Sequence, residues 1–119
     1  MKVKIENYNK GRSGEELAKK YLTEKGLMWI ESNFLCDVGE IDLIMTDNDW
    51  LVFVEVKYKS DDMFGIPEEM ISSWKVSQIR KVAQIYLMKK PAISKKYIKY
   101  RIDAVCILGE KITHYPNIQ

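Results

Sequence analysis

The segment at residues 51–58, LVFVEVKY, constrains the fold more than any other part of the chain. Apart from one acid and one base, its residues are aliphatic or aromatic, which is typical of a strand buried inside a sheet. Because side chains alternate across a strand, Glu55 and Lys57 share one face and three valines take the other. Burying such charges is costly unless other groups pair with them. The segment therefore predicts a central strand that carries a polar site.

The preceding segment, residues 38–45, predicts a second strand that forms a hairpin with the first. A turn centred on Asn48 and Asp49 pairs residues whose numbers sum to 97, which places Asp42 opposite Glu55. On strict alternation, the other face of this strand carries its apolar side chains Ile41, Leu43 and Met45.

Two carboxylates that face each other, with Cβ atoms about 5 Å apart, destabilise a hairpin unless a cation lies between them. Hard cations such as Mg²⁺ or Mn²⁺ prefer carboxylate and water oxygens. Asp42 and Glu55 are thus predicted to bind a metal ion, and Lys57 to hold a water or stabilise charge on a phosphate. The alternative is an ordinary hairpin with a Glu40–Lys57 ion pair and a solvated Asp42. The flanking apolar residues favour the metal site.

The first predicted helix opens at residues 11–14 and ends at Gly26, a residue typical of helix ends. Ser13 and Glu16 have the spacing of a capping box, which gives Glu16 a structural role. Glu15 falls at the edge of the apolar stripe and could face the sheet and the metal. It could equally be an acid stabilised by the positive end of the helix dipole.

A second helix is predicted at residues 72–90 and is ended by Pro91. Lys75 lies on its buried side, from where it could reach a phosphate at the active site or extend along the core to water. Arg101 and Asp103 share the polar face of the following strand. They could form an ion pair that supports the site or a simple pair at a sheet edge.

The predicted elements follow the order α-β-β-β-α-β-β, with the remaining strands at residues 27–35, 97–108 and 111–115. This order indicates an α/β fold in which helices flank one mixed sheet. Residues 1–10 are expected to be loosely ordered and residues 11–119 to form a single domain, since 119 residues suffice for one core.

Charge is unevenly distributed, although the chain as a whole carries only +2. Residues 70–102 contain nine cationic residues and no Asp or Glu, so the remainder carries −7. An acidic part followed by a basic part suggests an anionic partner for the second half. A solvated basic helix face and a lysine-rich loop would give the same pattern.

No run of about 18 apolar residues is available for a membrane helix. The N-terminal residues lack the apolar core of a secretory signal. Cys36 and Cys106 lie in apolar segments and are expected to be buried thiols rather than a disulfide, which fits a reducing compartment. We therefore expect a cytoplasmic protein without a membrane contact.

Five short motifs occur in order along the chain. They are Gly11-Arg12-x-Gly14-Glu15, Gly39-Glu40-Ile41-Asp42-Leu43-Ile44, Val52-Phe53-Val54-Glu55-Val56-Lys57, Phe64-Gly65-x-Pro67 and Tyr100-Arg101-Ile102-Asp103. With these motifs the chain, from about residue 11 to 115, resembles the YraN-like family of small bacterial proteins. That family is related to Holliday-junction resolvases and to PD-(D/E)xK restriction-endonuclease-like nucleases. Ile41 stands where the superfamily motif has its proline, a residue without a chemical role.

The resemblance implies a restriction-endonuclease-like core with Asp42 and Glu55 as metal ligands, Lys57 as the catalytic lysine and Glu15 as an accessory acid. It implies hydrolysis of phosphodiesters in branched or structured DNA, with Mg²⁺ or Mn²⁺ as cofactor. A homodimer would suit an enzyme that cuts both strands of a junction. The alternative is a DNA-binding or assembly module that keeps the site without cutting. Phosphate contacts are expected from basic residues, namely Arg12, Lys59, Lys75, Lys89, Lys90, Lys95 and Lys96.

Overall fold

The computed structural model describes residues 10–59 and 71–118, with side chains from Ser13 onward in the first helix. Its elements are α1 (Lys10–Glu24), β1 (Met28–Cys36), β2 (Gly39–Asp47), β3 (Trp50–Lys59), α2 (Ser73–Lys89), α3 (Pro91–Lys96), β4 (Lys99–Leu108) and β5 (Lys111–Tyr115). The strands form one sheet in the order β1-β2-β3-β4-β5, in which only β3 and β4 run parallel. The predicted α/β fold and its element order are confirmed, and α3 is an addition to them.

The two long helices cover opposite faces of the sheet. Leu51 and Phe53 pack in a cluster with residues of α2, whereas Val52 and Val54 pack with residues of α1. This alternation is the one that residues 51–58 predicted. Glu55, the next residue of the odd-numbered series, therefore lies on the face covered by α2.

The end of α1 is a Schellman motif, in which Gly26 adopts a φ of 105°. The N–H of Leu27 donates to the carbonyl oxygen of Leu22 at 3.1 Å, closing the motif. This confirms Gly26 as the stop. The predicted capping box is wrong, because α1 begins at Lys10 and Ser13 consequently lies within the helix.

The helix α2 begins after Ser72, whose Oγ accepts a hydrogen bond from the N–H of Lys75 at 3.1 Å. At its other end, Pro91 both ends α2 and opens α3. A proline is suited to the first turn of a helix because the N–H that it lacks would have no partner within the helix. Treating Pro91 only as a stop is the reason that α3 was not predicted.

The β2–β3 hairpin has the predicted register. It turns at Asn48, which has a φ of 55°, and the ladder continues through five pairs that each sum to 97. Its last pair is Leu43–Val54, one step short of Asp42 and Glu55. Asp42 and Glu55 are therefore the residues that adjoin the last ladder pair, but they do not pair in the ladder themselves.

Alternation in β2 fails at Asp42. Leu43 and Met45 pack on the α1 face, as expected, but Ile41 packs on the α2 face. In the β1–β2 ladder, the partners of Leu43 and Ile41 are Ser32 and Phe34, so the residue opposite Asp42 is Asn33. Its φ of 57° lies in the left-handed region. The prediction that Ile41 shares a face with Leu43 and Met45 is wrong because both strands are distorted at this point. The regular alternation of side chains is therefore interrupted at Asp42.

As expected, neither Cys36 nor Cys106 is part of a disulfide. Cys106 is buried in β4, whereas Cys36 at the end of β1 is half-buried. In the described part of the chain, no helix combines the length and the apolar composition that crossing a membrane requires.

Candidate active site

Asp42 and Glu55 meet beyond the end of the β2–β3 ladder. The Oδ2 atom of Asp42 accepts a hydrogen bond from the backbone N–H of Val56 at 2.8 Å, and the two carboxyl groups lie close enough to influence each other's pKa. Only 5% of Glu55 is exposed. Two carboxyl groups so close to each other cannot easily both be ionised, which favours the protonated form of either one.

The electrostatics of the pair follow from its burial. Burial raises the pKa of Glu55 to about 7, and the charge of Asp42 adds to this effect. Burial likewise raises the pKa of Asp42, although the N–H of Val56 counteracts the rise. A divalent cation would relieve both the lost hydration and the mutual repulsion, which makes the pair suited to metal binding.

Two lysines face this acid pair. The Nζ atom of Lys75 lies 3.8 Å from Oε2 of Glu55, and 32% of the Lys75 side chain is exposed. Lys57 follows Glu55 by two residues on the same face of β3 and is half-buried. The positive charges of both lysines lower the pKa of both acids. The structure thus places Lys75 at the acid pair, and its contact with a phosphate stays a prediction.

A close contact between α2 and β2 holds Lys75 in this place. A Cβ atom at Gly39 would lie 3.2 Å from Nε2 of Gln78, so the helix can approach this closely because residue 39 is a glycine. The same Nε2 atom donates a hydrogen bond to the carbonyl oxygen of Val38 at 2.9 Å. Sequence reasoning missed Gln78. The available signal was a polar residue one turn after Lys75 on the inward side of an otherwise apolar helix.

Glu15 belongs to a turn of α1 that packs near the end of β3. A Cβ atom at Gly14 would lie 2.9 Å from Cδ2 of Tyr58, so the first turn of α1 packs against the residue that follows Lys57. Within residues 10–59 and 71–118, no three His, Cys, Asp or Glu side chains are grouped so that they could hold a metal ion. The accessory role of Glu15 therefore stays a prediction.

Glu40 is exposed at the rim of the site. Partial burial, together with the charge of Asp42, raises its pKa. Among the described residues, Glu40 and Lys57 do not form an ion pair. The acid of the site that does form one is Glu55. The local arrangement thus differs from the ordinary hairpin that was the alternative to a metal site.

Arg101 and Asp103 form the expected ion pair, but in a buried network rather than at a sheet edge. Nε of Arg101 donates to Oδ1 of Asp103 at 2.9 Å, and its Nη2 donates to Oδ2 of Asp47 at 3.0 Å. Nε2 of His114 lies 2.8 Å from Oδ2 of Asp103, and the backbone N–H of Asn117 donates to Oδ1. The hydrogen bonds from His114 and Arg101 keep the pKa of Asp103 below its ordinary value despite complete burial.

This network lies on the other side of the sheet from the acid pair. Val105 and Ile107, the next residues of the same series in β4, pack on the α1 face, whereas Glu55 lies on the α2 face. The network around Asp103 therefore joins β4, β5 and the end of β2, and Asp103 has no contact with the acid pair. Two members of the network were not predicted, namely Asp47, the partner of Arg101, and His114, the partner of Asp103. Nothing in the sequence around Asp47 points to Arg101, which lies 54 residues further along the chain.

Of the described basic residues predicted to bind DNA, Lys75 lies at the acid pair, whereas the others are spread along α2, around α3 and at the end of β3. Lys89 follows Lys75 by fourteen residues, which is about 20 Å along α2. Lys90 forms an ion pair with Glu31 at 3.8 Å. The remaining members are exposed, at the end of β3 or around α3: Lys59, Lys89, Lys95 and Lys96.

The model of the Uncharacterised protein family UPF0102 matches residues 14–107. A UPF0102 protein of Vibrio campbellii is 45% identical over 97 residues, which cover 82% of this chain and 79% of the relative. One from Persephonella marina is 41% identical over 108 residues, covering 91% and 90% of the two chains. One from Clostridium kluyveri is 35% identical over 117 residues, covering 97% and 93%. This chain belongs to the UPF0102 family.

The YraN-like resemblance is thereby confirmed at the level of the family. In this UPF0102 protein, the Gly39-to-Ile44 motif supplies both the close approach of α2 and Asp42. The next motif supplies Glu55 and Lys57, and the Tyr100-to-Asp103 motif supplies the network on the other face. The side chain of Arg12 and the motif at residues 64–67 lie outside the described residues.

Proposed function

We propose that this UPF0102 protein is a divalent-metal-dependent endonuclease that hydrolyses phosphodiesters in branched or structured DNA. The observation that carries the proposal is the Asp42–Glu55 pair, in which Glu55 is buried and Asp42 half-buried, with the ammonium of Lys75 beside Glu55 and Lys57 on the same face of β3. Two acids that repel each other in a buried place are costly for stability, which argues that they serve a ligand. The resemblance to resolvases and restriction-endonuclease-like nucleases supports the choice of DNA.

The residues present fit Mg²⁺ or Mn²⁺. Both acids offer carboxylate oxygens, the donors that these hard cations prefer. Mg²⁺ is commonly held by one or two protein carboxylates, while water and substrate phosphates fill its other positions. A third acid is thus not required, and Asp42 with Glu55 would suffice. When bound, the ion would neutralise the two acids and supply a water of lowered pKa beside a polarised phosphate.

The surrounding groups have separate tasks in this proposal. The N–H of Val56 fixes the Asp42 carboxylate, so that its direction does not depend on the ligand. Lys57 would stabilise the negative charge that grows on the phosphate during attack by water, or hold that water in line. Lys75 would hold Glu55 in place, and its partly exposed ammonium is also available to a phosphate of the bound strand.

DNA would lie along α2. The seventeen residues of this helix contain four cations and no acid, and Lys75 at its start lies at the acid pair. The exposed lysines around α3 are about 20 Å away, a distance spanned by about six base pairs of duplex. A bound duplex could therefore contact both the site and the distant lysines.

A second function, a DNA-binding or assembly module that does not cut, is favoured by one observation. The ion pair between Lys75 and Glu55 already gives the buried acid a cationic partner from within the protein. Such a partner could replace the metal permanently, and the site would then be a structural remnant of a nuclease. The difference between the two functions is whether the protein has catalytic activity.

The test is a nicking assay on a panel of branched and linear DNAs with Mg²⁺, Mn²⁺ or EDTA. Wild-type protein should nick one or more branched substrates with metal and none with EDTA. Asp42→Asn should remove the activity without unfolding the protein, as checked by circular dichroism. Metal-independent nicking that survives in Asp42→Asn would indicate a contaminating nuclease and contradict the proposal.

A further inference from the structure

The first turn of α2 presents a largely exposed tryptophan beside the candidate active site. Trp74 is 69% exposed, and it immediately precedes Lys75, whose Nζ atom lies 3.8 Å from Glu55. Neighbouring Cα atoms are about 3.8 Å apart, so the indole begins one residue from the side chain that contacts the acid pair, and the two side chains leave the helix about 100° apart. A molecule that extends from the site along the first turn of α2 could therefore reach the indole.

The other tryptophans of the chain have different surroundings. The ring of Trp29 is 45% exposed, carries the ammonium of Lys19 at 3.9 Å and donates a hydrogen bond to Ser32. The ring of Trp50 is half-buried and lies within 6 Å of the cationic groups of two β4 residues. Trp74 thus leaves more of its surface open to a ligand than either of the others.

The charge around Trp74 favours an anionic ligand. Trp74, Lys81 and Met88 follow one another at intervals of seven residues, so they lie along one side of α2, and all three are exposed. Arg80 is also exposed, and the helix contains no acid that would neutralise these cations. An exposed aromatic ring on the same helix as exposed cations is a combination with which proteins bind single-stranded nucleic acid, in which bases stack on the ring and phosphates contact the cations.

We propose that Trp74 stacks on an unpaired base of bound DNA next to the cleaved phosphate. The inference rests on the proposed function and deepens it, because it names the substrate class as DNA with unpaired nucleotides at the cut site. Bases inside a continuous duplex are stacked on each other and cannot reach the indole, whereas a base at a gap, flap or branch point can. Trp74 thereby makes the protein prefer interrupted DNA over a continuous duplex.

The experiment measures binding by fluorescence anisotropy in EDTA, so that no cleavage occurs. Two labelled DNAs of equal length are compared, a continuous duplex and the same duplex with a three-nucleotide gap. Wild type should bind the gapped DNA about tenfold or more tightly, the usual range for one stacked base. Trp74→Ala should lose this preference while keeping its affinity for the continuous duplex, and Trp74→Phe should retain most of it.

Two control variants separate stacking from other effects. Trp29→Ala removes the other open indole on a different element and should leave the preference unchanged. Lys81→Gln removes a phosphate contact on the side of α2 that carries Trp74, and it should weaken binding to both DNAs equally. Equal loss on both DNAs in Trp74→Ala, or no loss on either, would overturn the inference.

Failure of the inference and failure of the proposed function are distinguishable. Cleavage in Mn²⁺ that is the same for gapped and continuous DNA, and unaltered in Trp74→Ala, would leave the nuclease standing and overturn the stacking. A Trp74-dependent preference for gapped DNA without any cleavage would support the stacking and overturn the nuclease. Absence of binding to either DNA would overturn the stacking, and the nicking assay would then judge the nuclease separately.

Discussion

Glu55→Gln should make the metal-free protein more stable above neutral pH, which is unusual for a substitution in a core strand. The pKa of Glu55 is raised from its ordinary value of 4.5 to about 7, chiefly by burial. The folded protein therefore holds the proton more tightly than the unfolded chain does. Its free energy of unfolding must fall as the pH rises between these two values, because the unfolded chain then binds fewer protons than the folded one.

The size of the effect follows from the shift. One pKa unit corresponds to about 1.4 kcal/mol, so the loss between pH 4.5 and pH 8 is up to about 3 kcal/mol. Glutamine keeps the shape and the hydrogen-bonding capacity but carries no proton equilibrium. The pKa of about 7 already includes the attraction of Lys75, so the loss of the Lys75–Glu55 ion pair needs no separate deduction. The variant should therefore be more stable than wild type by up to about 3 kcal/mol at pH 8, or roughly 12 °C in Tm.

The assay is thermal and urea unfolding in EDTA from pH 5 to pH 8, followed by circular dichroism. Wild type should lose stability as the pH rises, Glu55→Gln should not, and the two should converge near pH 5. Glu24→Gln, which changes an exposed glutamate of α1, is the matched control and should follow wild type. A Glu55→Gln variant that is less stable than wild type at every pH would refute the reasoning, because Glu55 would then be a stabilising partner of Lys75.

Three further results are expected. Mg²⁺ or Mn²⁺ should raise the Tm of wild type at pH 8, since the ion binds only the folded acid pair, and Asp42→Asn should abolish the rise without lowering the stability of the metal-free protein. Asp103→Asn should cost about 3–5 kcal/mol in urea unfolding, because Arg101 would lose its buried partner, and an unchanged midpoint would contradict the network. DNA affinity should depend less steeply on salt, by up to about four units of log-log slope, when all four distal lysines are replaced by Gln: Lys89, Lys90, Lys95 and Lys96. If wild type and this variant had the same slope, the DNA would not contact these four lysines.

The strands were predictable because their sequences leave little choice. Residues 51–58 are apolar on both faces, and the turn at Asn48 then fixes the register of the hairpin. Alternation predicted the two faces of β3 correctly but failed for Ile41. That failure follows from the left-handed Asn33 on the neighbouring strand, which no periodic pattern of β2 itself encodes.

The acid pair was predictable in outline and its surroundings were not. Pairing by register brings Asp42 to Glu55, but the hydrogen bond from Val56 depends on the ladder ending one step earlier. The positions of Lys75 and Gln78 depend on how α2 lies across the sheet, which a helical pattern alone does not specify. Sequence reasoning thus identifies which residues are chemically notable, whereas long-range packing decides which of them meet.

Single-turnover cleavage of one branched DNA, measured beside binding to the same DNA at the same salt concentration, tests the nuclease proposal most directly. Wild type should cut with Mn²⁺. Lys57→Ala should be slower by about a hundredfold or more, as on loss of a preorganised charge stabiliser, and should bind within a factor of about three. Lys111→Ala, the same change at an exposed position of β5 outside the predicted DNA contacts, should affect cleavage little. Equal losses of cleavage and binding in Lys57→Ala would make Lys57 a binding residue, and tight binding by wild type without cleavage in Mg²⁺ or Mn²⁺ would contradict the nuclease.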